Sequence, residues 1–355
     1  MPRAATAPLP KSLGLLALVV MVSVAALFIF APNRRAIAAA GSTTALAAPL
    51  PTSVPPGTQL IIGDPVTQYV FEHLGWDKQL PYRLHWVQIS GGPDVTEAFH
   101  AHALDIGVGA SIPPVHATWV GLPVRIIAVR QREDWAAHPS WVWGIAPKAG
   151  IAQLADLRGK RIAFSPSQVQ GQVVIETLRR LGLSRGDVTL VELPSNIGGD
   201  VYTSALASGE IDAAPLATGI VAERYLRKFG DRGARLLPHP PFRDDLITVY
   251  APVRVLEDPA KAAALNDYIR RWHAAQHWVR DHPDELARGY YGTRQGLPLA
   301  DARAVVAATG LAETPRDWTG PIAREQAAID TVAPLLGRPR FDAATIFDRR
   351  FETLP

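Results

Sequence analysis

The sequence predicts an α/β fold of two lobes, each a mostly parallel sheet flanked by helices. Apolar runs of strand length alternate with segments of helical periodicity over most of the chain. One unit of loop, helix, strand and loop covers 90–111, and a similar unit covers 201–217. A shift of 107 positions aligns Asp105 with Asp212. The two units suggest two similar lobes; the alternative is two ordinary α/β segments that are alike by chance.

Composition excludes several classes of function. The chain of 355 residues is long enough for two domains, and its 48% hydrophobic content is typical of a packed globular protein. It contains no cysteine, which excludes structural disulfides, thiolate zinc sites, a cysteine nucleophile and a lipid-anchored cysteine. The formal net charge is +3, but residues 1–40 carry four basic residues and no acid. The basic character therefore gives no reason to expect a nucleic-acid partner.

The first forty residues predict an export signal. Arg3 and Lys11 precede an uncharged apolar run over 13–31, and Ala38-Ala39-Ala40 is a candidate cleavage site. The run approaches the ~20 residues that span a bilayer, so residues 1–40 are either a cleaved signal peptide or a membrane anchor. Both alternatives place most of the chain outside the cytoplasmic membrane. Residues 41–57, rich in proline and alanine, are expected to form a linker.

Residues 58–146 are predicted to form lobe one. Its strands are expected at Gln59–Gly63, Leu84–Ile89, Leu104–Val108 and Val124–Val129, with a helix after Gly92. The apolar run Trp141–Ala146 is a candidate crossing point between the lobes.

Residues 147–245 are predicted to form lobe two, and 246–355 to return to lobe one and end in helices. Lobe two has candidate strands at Arg161–Phe164 and Val188–Leu193, with a helix over 169–181 between them. A strand over 246–253 begins the return. Asp258 and Pro259 start a long helix that His282-Pro283 should break.

Several motifs together resemble a known family. They are Gly91-Gly92-Pro93 before a helix, Leu104-Asp105-Ile106-Gly107, and the stretches 154–165, 205–213 and 279–285. In order and spacing they resemble the extracytoplasmic solute-binding proteins of ABC importers, in the branch that carries nitrate, taurine or aliphatic sulfonates. The resemblance implies a periplasmic-binding-protein-like fold with a ligand cleft that closes between the lobes. It also implies capture of a small polar or anionic solute, delivery to ABC importer membrane subunits, a periplasmic or other extracytoplasmic location, no cofactor and a monomer.

Physical reasoning locates the cleft at the carboxyl ends of the strands, where helix N-termini also point. The helix after Gly92 carries Asp94 and Glu97 in its first turns, which complement the helix dipole and would repel an anion. The helix after Ser165-Pro-Ser-Gln has no acid before Glu176, so we favour this turn as the anionic anchor. The candidate ligand-binding residues are Thr67, Gln68, Gly91, Gly92, Ser111, Arg130, Ser165, Ser167, Gln168 and Thr218.

Some of these residues have a structural alternative. Ser165 or Ser167 could serve as a helix N-cap, and Ser111 could be a turn residue. Arg130 follows a strand and is either a counter-ion for the ligand or a surface arginine in a salt bridge. Thr218 is the only polar side chain in the turn 215–219, so an aminated ligand such as taurine lacks a partner there.

No catalytic constellation is present in the sequence. Gly-x-Ser-x-Gly, His-Glu-x-x-His and phosphate-loop motifs are absent, so we predict no catalytic residues, no metal and no enzyme activity. The alternatives are a membrane-tethered sensor and a thiamine-pyrimidine-related enzyme on the same fold, although the latter's cysteine cluster is missing. Aliphatic sulfonate, taurine, nitrate and pyrimidine remain open as solutes.

Overall fold

Two β-sheets organise the protein in this computed structural model, which describes residues 46–89, 92–194 and 200–354. Each sheet buries its own apolar side chains, so the chain has separate hydrophobic cores around the two sheets. The strands are β1 (Gln59–Gly63), β2 (Arg83–Trp86), β3 (Ile106–Ala110), β4 (Val124–Arg132), β5 (Trp141–Ile145), β6 (Arg161–Phe164), β7 (Thr189–Glu192), β8 (Ala213–Ala217), β9 (Arg235–Leu237), β10 (Ile247–Pro252) and β11 (Ala312–Glu313).

The first sheet has the order β11-β4-β10-β3-β1-β2. Strand β1 pairs in parallel with β2 and β3, whereas β10 is antiparallel to both β3 and β4. The second sheet has the order β7-β6-β8-β5-β9. Strand β6 is parallel to β7 and β8, and β5 is antiparallel to β8 and β9. Both sheets are therefore mixed, with most of their strands running in one direction.

Helices cover these sheets and form the C-terminal part of the chain. Two of the helices begin with an aspartate N-cap. The side chain of Asp64 accepts a hydrogen bond from the N–H of Thr67, and that of Asp258 accepts from the N–H groups of Ala260 and Lys261. The helices are α1 (Pro65–Leu74), α2 (Gly92–His100), α3 (Ile112–Trp119), α4 (Val169–Arg180), α5 (Asp200–Ser208), α6 (Ile220–Phe229), α7 (Val253–Glu257), α8 (Pro259–Asp281), α9 (Pro283–Leu286), a π-helix (Ala287–Arg294), α10 (Leu299–Thr309) and α11 (Thr319–Val332).

The two similar sequence units have the same local structure. In the first sheet, Asp105 accepts a hydrogen bond from the N–H of Ile61 at 3.0 Å, and its own N–H donates to the carbonyl of Ile61. In the second sheet, Asp212 accepts from the N–H of Arg161 at 2.8 Å and donates to the carbonyl of Arg161. Each aspartate lies just before its own strand and binds the backbone N–H and carbonyl of one residue in the neighbouring strand. This equivalence supports two related lobes over a chance likeness.

The expected limits of the lobes differ from the sheets in two places. Strand β5, expected at the end of lobe one, pairs with β8 and β9 in the second sheet, because its apolar side chains complete that core. The expected linker residues from Leu46 to Val54 include apolar side chains that contact the first core. The carbonyl of Pro51 also accepts a hydrogen bond from Asn266 in α8. Strand β10 returns the chain to the first sheet.

The predicted export signal lies outside the described residues. Within the described part of the chain, no helix combines the length and apolar character that crossing a bilayer requires. The predicted helix break occurs as expected: α8 ends at Asp281 and α9 begins at Pro283.

Candidate functional site

A cleft of about 1010 Å³ lies between the two sheets. One wall is formed by the carboxyl ends of β1, β3 and β4, at Gly63, Gly109 and Arg130. The opposite wall is formed by Gln168 at the start of α4 and by Ala217 at the end of β8. Helix α6, the π-helix and α10 line the remaining sides. The cleft therefore occupies the position that the carboxyl ends of the strands predict.

Arg130 is a positively charged residue that lines this cleft. Its Nη1 donates to Oε1 of Gln276 in α8 at 2.9 Å. Among the described residues, no carboxylate forms an ion pair with Arg130. The structure therefore does not have the surface salt bridge that was the alternative interpretation of this arginine. Burial lowers the pKa of the guanidinium while the more distant Asp64 raises it, and an arginine remains charged throughout the physiological range.

Asp64, Thr67 and two residues of α8 form a hydrogen-bond network next to Arg130. Oδ2 of Asp64 accepts from Oγ1 of Thr67 at 2.6 Å and from the indole N–H of Trp272 at 3.2 Å. The amide of Gln276 donates to Oγ1 of Thr67 at 3.4 Å. Burial raises the pKa of the Asp64 carboxyl, while its hydrogen bonds with Thr67 lower it. The network therefore links the start of α1 to α8, the helix that also binds Arg130.

Basic side chains outnumber acidic ones on the cleft walls. Arg132, Arg224 and Lys228 join Arg130, against Asp64 and Asp244. Both carboxylates are already hydrogen bonded within the protein. Asp244 accepts from the N–H groups of Ser140 and Trp141 and contacts Nε2 of His239 at 3.0 Å. The described walls therefore favour a negatively charged ligand.

The two lobes touch at the rim of the cleft. Oγ of Ser111, at the start of α3, donates to Oε1 of Gln172 in α4 at 2.7 Å. Gly92 has a φ of +55°, and a Cβ there would lie 2.6 Å from Nε2 of Gln168. Helices from opposite sheets thus meet directly, and small or polar residues are required at the points of contact.

The structure brings together four of the ten predicted site residues. The predicted residues that line the cleft are Gly92, Arg130, Gln168 and Thr218. The hydroxyl of Thr218 donates to the carbonyl of Pro139 at 2.8 Å, which connects β8 to the segment that precedes β5. Gly91 lies outside the described residues. Ligand contact by these residues stays a prediction.

The other five predicted residues do not line the cleft. Thr67 is buried behind it and bound to Asp64, and Gln68 bonds to Glu72 and Gln88 on the outer side of α1. Ser111 contacts Gln172 instead of the cavity. Ser165 is 4% exposed, and its carbonyl lies against Gly171 in α4. Ser167 also lies outside the cavity wall.

Of the expected anionic anchor at Ser165–Gln168, Gln168 lines the cleft and the two serines do not, and ligand binding by this turn stays a prediction. The prediction that the first turn of α4 lacks acids is confirmed, and Gln168 is its N-cap residue. Ser165 is buried against Gly171 of α4, and Ser167 is not among the residues that line the cavity. Arg130, in the opposite lobe, is the stronger candidate anchor.

Sequence reasoning missed the residues that α8 and the π-helix contribute. Gln276 lies on the buried side of α8, and its four-residue spacing from Trp272 was available in the sequence. Tyr290 and Tyr291 line the cleft from the π-helix, which sequence periodicity does not predict. The sequence predicts Trp141 only as part of a strand that crosses between the lobes, whereas in the structure this residue also lines the cavity.

Comparison with known proteins agrees with this architecture. A family model described as "NMT1/THI5 like" matches residues 68–228. Over 131 residues, the chain is 26% identical to the putative aliphatic sulfonates-binding protein of Escherichia coli (strain K12), an alignment that covers 37% of this chain and 39% of that protein. The match thus spans about two-fifths of the length of the curated relative.

Solved structures extend the likeness over most of the chain. The alkanesulfonate-binding protein SsuA from Xanthomonas axonopodis pv. citri bound to MOPS has a TM-score of 0.68 at 20% identity, covering 83% of this chain and 99% of that chain. The periplasmic aliphatic sulphonate binding protein SsuA from Escherichia coli has a TM-score of 0.65 at 18% identity, covering 82% and 92%. The chain has the periplasmic-binding-protein fold. The predicted two-lobed α/β architecture and the resemblance to the sulfonate branch of the solute-binding proteins are confirmed.

Proposed function

We propose that the protein is the substrate-binding component of an ABC importer and captures a small anionic solute of the sulfonate class in its cleft. The observation that carries the proposal is Arg130. It lines the cleft, and its hydrogen-bond partner among the described residues is the neutral amide of Gln276. A guanidinium that faces a cavity without a carboxylate partner is suited to bind an oxyanion through two parallel N–H groups.

The comparisons support the same class of ligand. The curated relative is named as an aliphatic sulfonates-binding protein, and the first solved structure is bound to MOPS, which carries a sulfonate. The surplus of basic side chains on the cleft walls favours a sulfonate over a neutral solute. A periplasmic or other extracytoplasmic location and docking onto importer membrane subunits follow from the same proposal.

Capture requires that the lobes close around the solute. The contacts of Ser111 with Gln172 and of Gly92 with Gln168 join the lobes beside the cleft. Such contacts are made only when the lobes are close, so they stabilise the closed state. A bound anion that contacts both walls would stabilise it further.

Titration calorimetry of the mature protein with alkanesulfonates tests the proposal. We expect saturable binding of at least one sulfonate, together with a smaller radius of gyration in solution scattering. A neutral sulfone of the same shape is the matched control and should not bind. The absence of binding and of compaction for every sulfonate would contradict the proposal, and turnover of a bound sulfonate would favour the alternative of an enzyme.

A further inference from the structure

We propose that the cleft selects an anion that carries a bulky apolar or aromatic group, and that it discriminates against nitrate and taurine. The proposal rests on the proposed function for the anionic head group, which Arg130 would bind. What it adds is the shape and chemistry of the rest of the ligand. Three features of the described residues carry it: the size of the cleft, its apolar wall, and the hydrogen bonds of its two carboxylates.

The cleft is large even though the lobes are in contact. Its volume is about 1010 Å³ in the structure in which Ser111 bonds to Gln172 across the lobes. Pockets of about 300–1,000 Å³ enclose drug-sized ligands. Nitrate or taurine would contact a small part of these walls and leave the rest facing water. A larger ligand is needed to contact both lobes at once.

Most of the wall away from Arg130 is apolar. Val108 and Ile247 come from the first sheet, Ile220 from α6, and Leu297 and Val305 from the C-terminal segment. Each of these side chains is partly exposed rather than buried in a core. Burial of such surface by an apolar ligand is favourable in proportion to the area removed from water. The wall therefore stabilises a ligand with an apolar group beside its anion.

Aromatic side chains also line the cleft. Trp141 from β5 and Tyr291 from the π-helix are partly exposed and line the cleft. The rings of Tyr290 and Tyr291 are 4.9 Å apart and nearly perpendicular, so Tyr290 supports the position of Tyr291. Both tyrosines belong to the π-helix and line the cleft. Planar groups of a ligand can pack against these faces.

Each carboxylate of the cleft already has three hydrogen-bond partners within the protein, which makes it a poor partner for the ammonium group of taurine. Asp64 accepts from the N–H and hydroxyl of Thr67 and from Trp272. Asp244 accepts from Ser140 and Trp141 and contacts His239. Burial raises the pKa of Asp64, which further weakens it as a partner for a cation. Among the described residues of the cleft, an aminated ligand therefore loses hydration without gaining a counter-ion.

The first test is a series of ligands with one head group. Calorimetry with ethanesulfonate, taurine, octanesulfonate and naphthalene-2-sulfonate, with sodium nitrate alongside, measures the effect of the remainder of the molecule. We expect octanesulfonate and naphthalene-2-sulfonate to bind on the order of 10- to 100-fold more tightly than ethanesulfonate, because they bury more apolar surface. Taurine should bind more weakly than ethanesulfonate. Equal or tighter binding of taurine or nitrate would overturn the inference.

The second test separates the apolar wall from the anionic head group. Tyr291→Ala should weaken naphthalene-2-sulfonate about 10-fold and leave ethanesulfonate within about 2-fold, whereas Tyr291→Phe, which retains the ring, should bind both as wild type does. Arg130→Gln should weaken every sulfonate. If Arg130→Gln weakens all of them but the ligand series shows no preference for bulk, the proposed function stands and this inference fails. If Arg130→Gln has no effect, the proposed head-group site itself is wrong.

Discussion

Nη1 of Arg130 donates a hydrogen bond of 2.9 Å to Oε1 of Gln276, and this bond joins the carboxyl end of β4 to the long helix α8. The acceptor is neutral, so it orients the guanidinium without neutralising its charge. An arginine has five N–H donors, and the others can reach toward the cleft. Asp64 accepts hydrogen bonds from Thr67 and Trp272, and Thr67 in turn accepts one from Gln276. The guanidinium of Arg130 thus remains positively charged where it lines the cleft between the two lobes.

The bond between Ser111 and Gln172 predicts a measurable contribution to lobe closure. Ser111→Ala or Gln172→Leu should weaken sulfonate affinity by about 2- to 10-fold, because the hydrogen bond of 2.7 Å stabilises the state in which the lobes touch. Both residues lie outside the cleft wall, so the effect should be similar for every ligand. The double variant should be no weaker than the more affected single variant. Additive losses in calorimetry would contradict a shared bond.

Gly92→Ala predicts a defect in the contact between the lobes. The added Cβ would lie 2.6 Å from Nε2 of Gln168, and the backbone φ of +55° is already unfavourable for alanine. Gly121→Ala is the matched control, because its φ is +84° and nothing lies within 4 Å of the added Cβ. Both variants should lose about 1–2 kcal/mol of stability from the backbone. Only Gly92→Ala should weaken ligand affinity; equal affinities of the two variants would refute the close contact.

The burial of Glu325 leads us to expect that the protein loses stability as pH rises. It is 0% exposed, and neither carboxylate oxygen has a hydrogen-bond partner among the described residues. Burial raises its pKa well above the usual value for a glutamate. The folded state therefore retains a proton that the unfolded chain releases near pH 4.5, so the contribution of Glu325 to stability is full below that pH and declines as pH rises.

The variant Glu325→Gln removes this pH dependence by replacing the protonated carboxyl with a neutral amide of similar shape. Its melting temperature should exceed that of wild type at pH 7.5 and match it near pH 4. Glu97→Gln, on the exposed side of α2, serves as the control and should shift little at either pH. A lower melting temperature of Glu325→Gln at pH 7.5 would show that the carboxylate is ionised and has a partner.

The two equivalent aspartates should differ in their contribution to stability. Asp105 is 1% exposed and also binds Lys261 at 2.7 Å, whereas 16% of the Asp212 side chain is exposed. Asp105→Ala leaves a partly buried strand N–H and a lysine without their acceptor and should lower the free energy of unfolding by about 1–3 kcal/mol. The loss from Asp212→Ala should be smaller, because water can replace its carboxylate. Urea denaturation measures both, and an equal or reversed order would argue against burial as the cause.

Much of the architecture was accessible from the sequence. The strand Gln59–Gly63 has the predicted bounds, and the likeness of the two units revealed two lobes, since Asp105 and Asp212 bind neighbouring strands in the same way. The sequence does not show to which of the two sheets strand β5 belongs. An apolar strand fits either sheet by its own pattern, and its partners β8 and β9 lie far along the chain.

The cleft was predicted less well than the fold. Ligands of α/β sheets bind at the carboxyl ends of the strands, and this rule depends only on the direction of the chain. It therefore predicted the cleft-lining residues Gly92, Arg130, Gln168 and Thr218. It does not tell which side chain of a loop points inward, so Ser165 and Ser167 were assigned to the cleft and lie outside its wall. The contributions of Gln276 and Tyr291 depend on where the C-terminal helices pack and on a π-helix that no local pattern indicates.

The measurement that tests the central claim most directly is sulfonate binding by Arg130→Gln beside Arg83→Gln. Arg83 is an exposed arginine at the amino end of β2 and does not line the cleft. Arg83→Gln therefore removes one positive charge from the protein, as Arg130→Gln does, without changing the cleft. Calorimetry with the sulfonate that binds wild type most tightly should show a loss of about 30-fold or more for Arg130→Gln. Arg83→Gln should bind as wild type does. Unchanged affinity in a folded Arg130→Gln variant would contradict the assignment of Arg130 as the anion-binding residue.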